Sequence, residues 1–133
     1  MQKSDMETGS LIEKGDLWVF MELFGLKGVK HHCGLSRRAL LPLFGFGVQV
    51  HYTEFTNDTK EHAHPVATEV YIVLEAGADA RIKVDGVEKP VKAWQVMGIK
   101  PGCMHQGLGH MKVLILILPF QHEHDEVLPE KKS

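Results

Sequence analysis

Cysteine is scarce in this chain: Cys33 and Cys103 are the only two among 133 residues. Two thiols are too few for a disulfide scaffold, which points to a reducing interior. An excess of positive charge is also lacking. Fifteen Lys and Arg against 17 Asp and Glu leave a formal charge of −2, so nothing electrostatic favours a nucleic-acid partner. Long apolar runs are missing too; the longest, Val113 to Leu118, is far too short to span a bilayer. The opening Met1 to Asp16 is polar and acidic, without the apolar core of a signal peptide. These absences lead to the expectation of a soluble, cytoplasmic protein with no nucleic-acid and no membrane partner. The composition, 44% hydrophobic and 24% charged, is that of a globular protein, and the length suits one domain. Residues 1–16 are expected to be a flexible segment, 17–126 the domain and 127–133 a tail.

What is present is a series of short strand-like runs. Leu17 to Phe24 is apolar nearly throughout and fits a short helix or a buried strand equally well. Lys27 to Leu35, with two glycines around His31, His32 and Cys33, reads as a loop. Gly47 to Phe55 mixes β-branched and aromatic residues as strands do, and "TNDTK" ends it with turn formers. Val70 to Leu74 and Ala80 to Val84 are strands, and Asp85-Gly86 after the second is a strong hairpin signal. The returning "VEKPVKA" contains Pro90, which marks an edge or a strand end. "WQVMGIK" is a further strand, "PGCMHQGLG" a loop, and Met111 to Leu118 the last strand. Short strands at close spacing predict an all-β sandwich or barrel. The last strand is apolar on both faces, so something should cover its second side. The other sheet together with Leu17 to Phe24 could do so, or a partner subunit; a homodimer is favoured.

Histidine is plentiful, with nine residues unevenly placed. In "KEHAHPVATEVYIVLEAG", His62 and His64 stand two apart, so on an extended chain both imidazoles point to one side. Imidazole is the commonest metal ligand, and a turn at Pro65 could return Glu69 beside the pair as a carboxylate. The same spacing also arises in a histidine-rich loop that binds nothing. Further on, "IKPGCMHQ" sets His105 three residues after Gly102, behind a Pro-Gly turn.

At these residues the chain resembles the cupin superfamily. "HAHPVATE" is similar to its first motif and "PGCMHQ" to its second, with about one hairpin between them. The resemblance spans Val48 to Phe120 and implies a double-stranded β-helix, a jelly-roll cupin barrel, with a metal inside its mouth. It implies His62, His64, Glu69 and His105 as ligands of a divalent transition metal, whether Fe, Mn, Ni or Zn. Four positions depart from the pattern: Thr56 and Gly109 replace a glycine and an asparagine, Gly77 comes one residue late, and Lys100 precedes Pro101 where the proline is usual. None of these is a ligand, so they bear on turn geometry rather than on metal binding.

Other residues have plainer readings beside the functional ones. Tyr71 follows Glu69 by two and should point into the same pocket, as a substrate-orienting phenol or simply as a wall. His51 and Gln49 share one strand face, inward or outward depending on register. Tyr71 and His51 are the only nominees for a side-chain acid or base. Cys103 is expected to pack as a small hydrophobe. "HHC" is left as loop, and His122 and His124 in "QHEHDE" as a solvated tail. The expected function is that of a metal-dependent enzyme acting on a small organic molecule. Want of a clear base favours dioxygenase-like chemistry over isomerase or lyase chemistry. The alternative is a non-catalytic module that binds or senses a metal or small ligand.

Overall fold

The computed structural model describes residues 11–31, 34–40, 45–56, 58–119 and 127–129. The strands are β1 (Leu11–Lys14), β2 (Val19–Met21), β3 (Val29–His31), β4 (Gly34–Ala39), β5 (Gln49–Phe55), β6 (Thr68–Ala76), β7 (Arg81–Val84), β8 (Val87–Pro90), β9 (Val96–Ile99), β10 (His105–Leu108) and β11 (Met111–Leu118). One 3-10 turn, Leu23–Gly25, follows β2, and the described residues contain no α-helix. The strands form a six-stranded sheet in the order β3-β4-β5-β11-β6-β9, a three-stranded sheet β10-β7-β8, and the separate hairpin β1-β2. The class is all-β, as the strand spacing predicts, and the barrel is not fully closed.

Turn chemistry accounts for the short connections. Asp85 and Gly86 both take positive φ, 50° and 81°, the requirement of the tight hairpin joining β7 to β8. Pro90 ends β8, the edge strand of the smaller sheet, where no partner needs its missing N–H. Lys100 to Cys103 is a second turn: the Cys103 N–H donates to the Lys100 carbonyl at 3.2 Å, with Pro101 first and Gly102 second at φ 85°. Pro then Gly in those places is the signature of a type II turn.

The core lies between the two sheets. Phe55, Val73, Val113, Ile115 and Ile117 from the large sheet meet Ile82 from the small one and Ala80 just before it. On β5 and β11 the odd-numbered residues face this core, and the cross-strand register keeps them in step, with Thr53 opposite Val113 and His51 opposite Ile115.

Several expectations are corrected. Residues 27–35 are not a loop; β3 and the start of β4 lie there, paired through Val29 with Ser36 and Lys30 with Leu35. "HHC" puts His31 in β3, while His32 and Cys33 lie outside the described residues. "PGCMHQGLG" contains β10, because its backbone finds a partner in β7. Residues 11–14, expected to be flexible, form β1. Leu17 to Phe24 is not buried: Leu17 is 90% exposed and Phe20 56%. Leu26 beyond it is fully buried, and Phe24, still 59% exposed, lays its ring edge-on to Tyr52 on the outer face of the large sheet at 5.0 Å. The last strand does alternate: Met111, Val113, Ile115 and Ile117 are buried, and Lys112, Leu114 and Leu116 are half-buried on the outer face. Its outer leucines are therefore covered by neither the other sheet nor the N-terminal segment in full.

Ile82 is fully buried in the middle of the core. Truncating it should leave a cavity, and Ile82→Ala is expected to cost about 2–5 kcal/mol in chemical denaturation, with the fold retained.

Candidate metal centre

Two distant stretches build the centre, and backbone hydrogen bonds zip them together. The Asp58 carboxylate accepts from the Gly109 N–H at 3.0 Å. The Thr59 N–H donates to the Gly107 carbonyl at 2.9 Å, and the Thr59 hydroxyl accepts from the Gly107 N–H at 3.0 Å. His62 and His105 exchange both backbone bonds, at 3.0 and 2.8 Å, and the Gly102 N–H donates to the His64 carbonyl at 2.9 Å. This ladder is antiparallel, so His62 and His105 present their side chains on the same face. On its other side Ala63 pairs with Val127 in an isolated β-bridge, so the expected C-terminal tail touches the ligand stretch at that residue.

Glycine at 109 is a steric requirement here. Its φ is 77°, and a Cβ would lie 2.3 Å from the Asp79 carbonyl oxygen. That explains why the asparagine of the cupin pattern is replaced. Thr56, where the pattern has glycine, does not take positive φ, so glycine is not needed.

The four expected ligands come together. His62, His64, Glu69 and His105 are all buried, and one ligand atom of each lies within 4.8 Å of all the others. Glu69 sits in β6 just after the bend at Pro65, opposite Ile117 and Ile99. Its Oε1 is 2.9 Å from His105 Nε2 and 3.1 Å from His64 Nε2.

The tautomers of two ligands follow from their partners. His62 Nδ1 is 2.7 Å from the Lys60 carbonyl and His105 Nδ1 is 3.0 Å from the Cys103 carbonyl. A carbonyl only accepts, so each Nδ1 carries a proton. In the neutral imidazole Nε2 is then a lone pair, which for His105 is directed at a carboxylate oxygen. Burial pushes the Glu69 carboxyl up; if the facing rings of His105 and His64 are protonated, their hydrogen bonds and charge outweigh burial and hold the group at about 2. Lone pairs and an ionised oxygen crowding one buried point require something positive among them. Protons on the imidazoles would answer in part; a divalent cation answers for all four donors at once. The donor set therefore fits a metal, and the cluster could hold one. Mixed imidazole and carboxylate donors suit Fe, Mn, Ni and Zn alike, so identity does not follow from the set.

The remaining nominees are also placed. Tyr71 is buried on the inner face of β6, its ring edge-on to His105 with centroids 6.0 Å apart. His51 and Gln49 are buried on the inner face of β5, which settles the register in favour of the inward reading. Cys103 packs against the core cluster, as a small hydrophobe would. His122 and His124 lie outside the described residues. Sequence reasoning passed over Arg38, which the pairing of β4 with β5 turns to this same inner face, opposite His51. Adjacent arginines give no periodicity, so only the register could reveal it.

No protein-family model and no curated protein matches the chain. Solved structures do. A protein from Planctomyces limnophilus shares 29% identity over 80% of this chain and 93% of its own, with a TM-score of 0.78. Pac13, a nucleoside dehydratase from Streptomyces, shares 14% over 80% and 87%, with a TM-score of 0.66. Ectoine synthase from P. lautus shares 17% over 80% and 85%, with a TM-score of 0.62. The last two are cupin-fold enzymes, and the architecture here is that of a small cupin. No helix among the described residues is long and apolar enough to cross a membrane.

Replacing His62 or His105 by alanine should each sharply lower the metal content of purified protein, read by inductively coupled plasma mass spectrometry. Cys103→Ala should leave it nearly unchanged, because the group holding His105 is the main-chain carbonyl. Full occupancy in both histidine variants would refute the four-ligand assignment.

Proposed function

We propose that this protein is a metal-dependent enzyme acting on a small organic molecule by proton transfer, as a lyase or isomerase. A divalent metal held by His62, His64, Glu69 and His105 would supply Lewis-acid polarisation of a substrate carbonyl or hydroxyl. The observation that carries the reading is the placement of Tyr71 and His51. Both lie in one row of the inner face, joined through Ile115, and Tyr71 abuts a ligand imidazole. Want of a clear base favours oxygen chemistry on sequence alone; Tyr71 beside a ligand ring, with His51 in the same row, supplies groups able to hold or move a proton. That two structural neighbours are a dehydratase and a synthase supports the same direction by analogy of fold. In this reading Tyr71 Oη and His51 share the tasks of taking a proton next to the polarised group and returning one to the departing oxygen. The apolar cluster behind them keeps bulk water away.

Solvent exchange offers a direct test. In D2O, metal-loaded protein should exchange the acidic C–H of its substrate, read by NMR across a panel of small hydroxy and keto compounds. Tyr71→Phe and His51→Gln should each slow that exchange at least tenfold with metal content unchanged. Substrate-dependent O2 uptake after anaerobic Fe(II) loading would instead establish dioxygenase chemistry. Tight binding with neither exchange nor uptake would establish a binding or sensing module.

The same proposal includes a homodimer. Outward on the large sheet, Val70, Ile72, Leu114 and Leu116 are half-buried, beside Val96 at 66% exposure. The β1-β2 hairpin carries Ile12, Trp18 and Phe20, likewise exposed. One chain thus presents two apolar surfaces, a flat face and an arm, and a second copy could cover both reciprocally. Light scattering should give twice the chain mass, and Leu116→Glu should halve it without unfolding the protein.

A further inference from the structure

We infer that Val127 is a positioning residue of the metal centre: its main-chain bridge to Ala63 sets His62 and His64, so that metal occupancy and docking of the C-terminal segment favour each other. The inference rests on the reading above that the cluster holds a metal, and it adds a means of regulating that site.

The four donors are not held alike. Glu69 belongs to β6, which is flanked by β11 and β9, and His105 opens β10, which pairs with β7. His62 and His64 lie outside the named strands, on a stretch tied to its neighbours by isolated bridges. In an extended chain the main-chain groups of successive residues point to opposite edges. Accordingly His62 exchanges both bonds with His105 on one edge, at 3.0 and 2.8 Å, and the His64 carbonyl accepts from the Gly102 N–H on that same edge. Ala63 turns the other way and exchanges both of its own bonds with Val127, at 2.8 and 2.7 Å. The ligand stretch is thus the middle of three segments, and Val127 closes its second edge.

Val127 holds by its backbone rather than by burial. It is 49% exposed and Leu128 is 50% exposed, so little apolar surface secures the bridge. Two hydrogen bonds with so little burial make a weak tie, one whose population responds to small changes in the energy of whatever it holds.

What it holds is the segment between two ligands. His62 and His64 are the covalent neighbours of Ala63, so a displacement of Ala63 is passed to both. With the bridge closed, the stretch is fixed from both edges and the ligand atoms converge without a further ordering cost. With the bridge open, more of that ordering falls to the metal. Linkage makes the effect mutual: whatever the bridge adds to metal affinity, the metal adds to docking of the segment. Removing the ion loosens the C-terminal segment, and drawing the segment away loosens the ion.

Zinc and cobalt serve as probes on the full chain. Val127→Pro removes the N–H that the Ala63 carbonyl accepts, whereas Val127→Ala keeps it and changes the side chain alone. Competition with a chromophoric chelator should show at least about a tenfold loss of zinc affinity in Val127→Pro and none in Val127→Ala. The visible bands of bound Co(II), which respond to ligand geometry, should change in Val127→Pro only. A bridge that merely stabilised the fold would lower the melting temperature and leave those bands unmoved. In wild-type protein, zinc should slow hydrogen exchange of the Ala63 and Val127 amides at least about tenfold by NMR, and should slow the β7-β8 hairpin less. Should Val127→Pro not fold, this exchange measurement decides alone. Equal zinc affinity with unchanged cobalt bands in Val127→Pro, an equal loss in Val127→Ala, or amide exchange indifferent to zinc would each overturn the inference and leave the metal reading standing. Wild-type protein that takes up neither ion would overturn the metal reading, and this inference with it.

Discussion

The structure depends on one backbone ladder, that between residues 58–64 and 102–109. Neither stretch carries a complete ligand set. His62 and His64 come from the first, His105 from the second, and Glu69 from β6 just after the first, with β7, β8 and β9 lying between. The reciprocal bonds of His62 with His105, and of Thr59 with Gly107, hold the two halves in a single register. A slip of one residue would turn His105 away from the cluster, because successive strand residues face opposite sides. The Asp58 carboxylate and Gly109 close one end of the ladder, and the Pro101-Gly102 turn closes the other. Gly109 has no room for a side chain because this closure brings it against Asp79.

Below the ladder, the interior serves two needs that oppose each other. Stability comes from the apolar half, where Ile82, Val113 and Val73 are almost entirely removed from water. The other half gives up that gain by lining the barrel with Gln49, His51, Tyr71 and Arg38. Polar groups in such a place are costly unless satisfied, so their concentration beside four convergent donors sets this half of the interior apart from the packed half.

Much of this was legible in the residues. The Asp-Gly hairpin and the Pro-Gly turn follow from local chemistry, positive φ and a fixed proline φ; two imidazoles on one strand face pointed to a site, and the four-ligand set came from the resemblance to the cupin motifs. What was not legible depended on pairing between distant strands. Arg38 looks like Arg37 until β5 lies beside it, and His51 could face either way until Ile115 stands opposite. Leu17 to Phe24 misled because apolar content was read as burial. Its side chains stand largely exposed, since the large sheet offers that segment contact only near Phe24 and Leu26. The apparent two-sided apolarity of the last strand has the same origin, an outer face that the described chain leaves half open.

The imidazoles of His62 and His105 are aimed by the carbonyls of Lys60 and Cys103, and a carbonyl belongs to every residue type. Orientation of half the ligand set is thus written in part in the course of the main chain. Positions 60 and 103 can drift through many residue types while the rings hold their aim. A lineage could therefore remodel the pocket around this cluster, and with it the choice of substrate, without first having to rebuild the cluster itself.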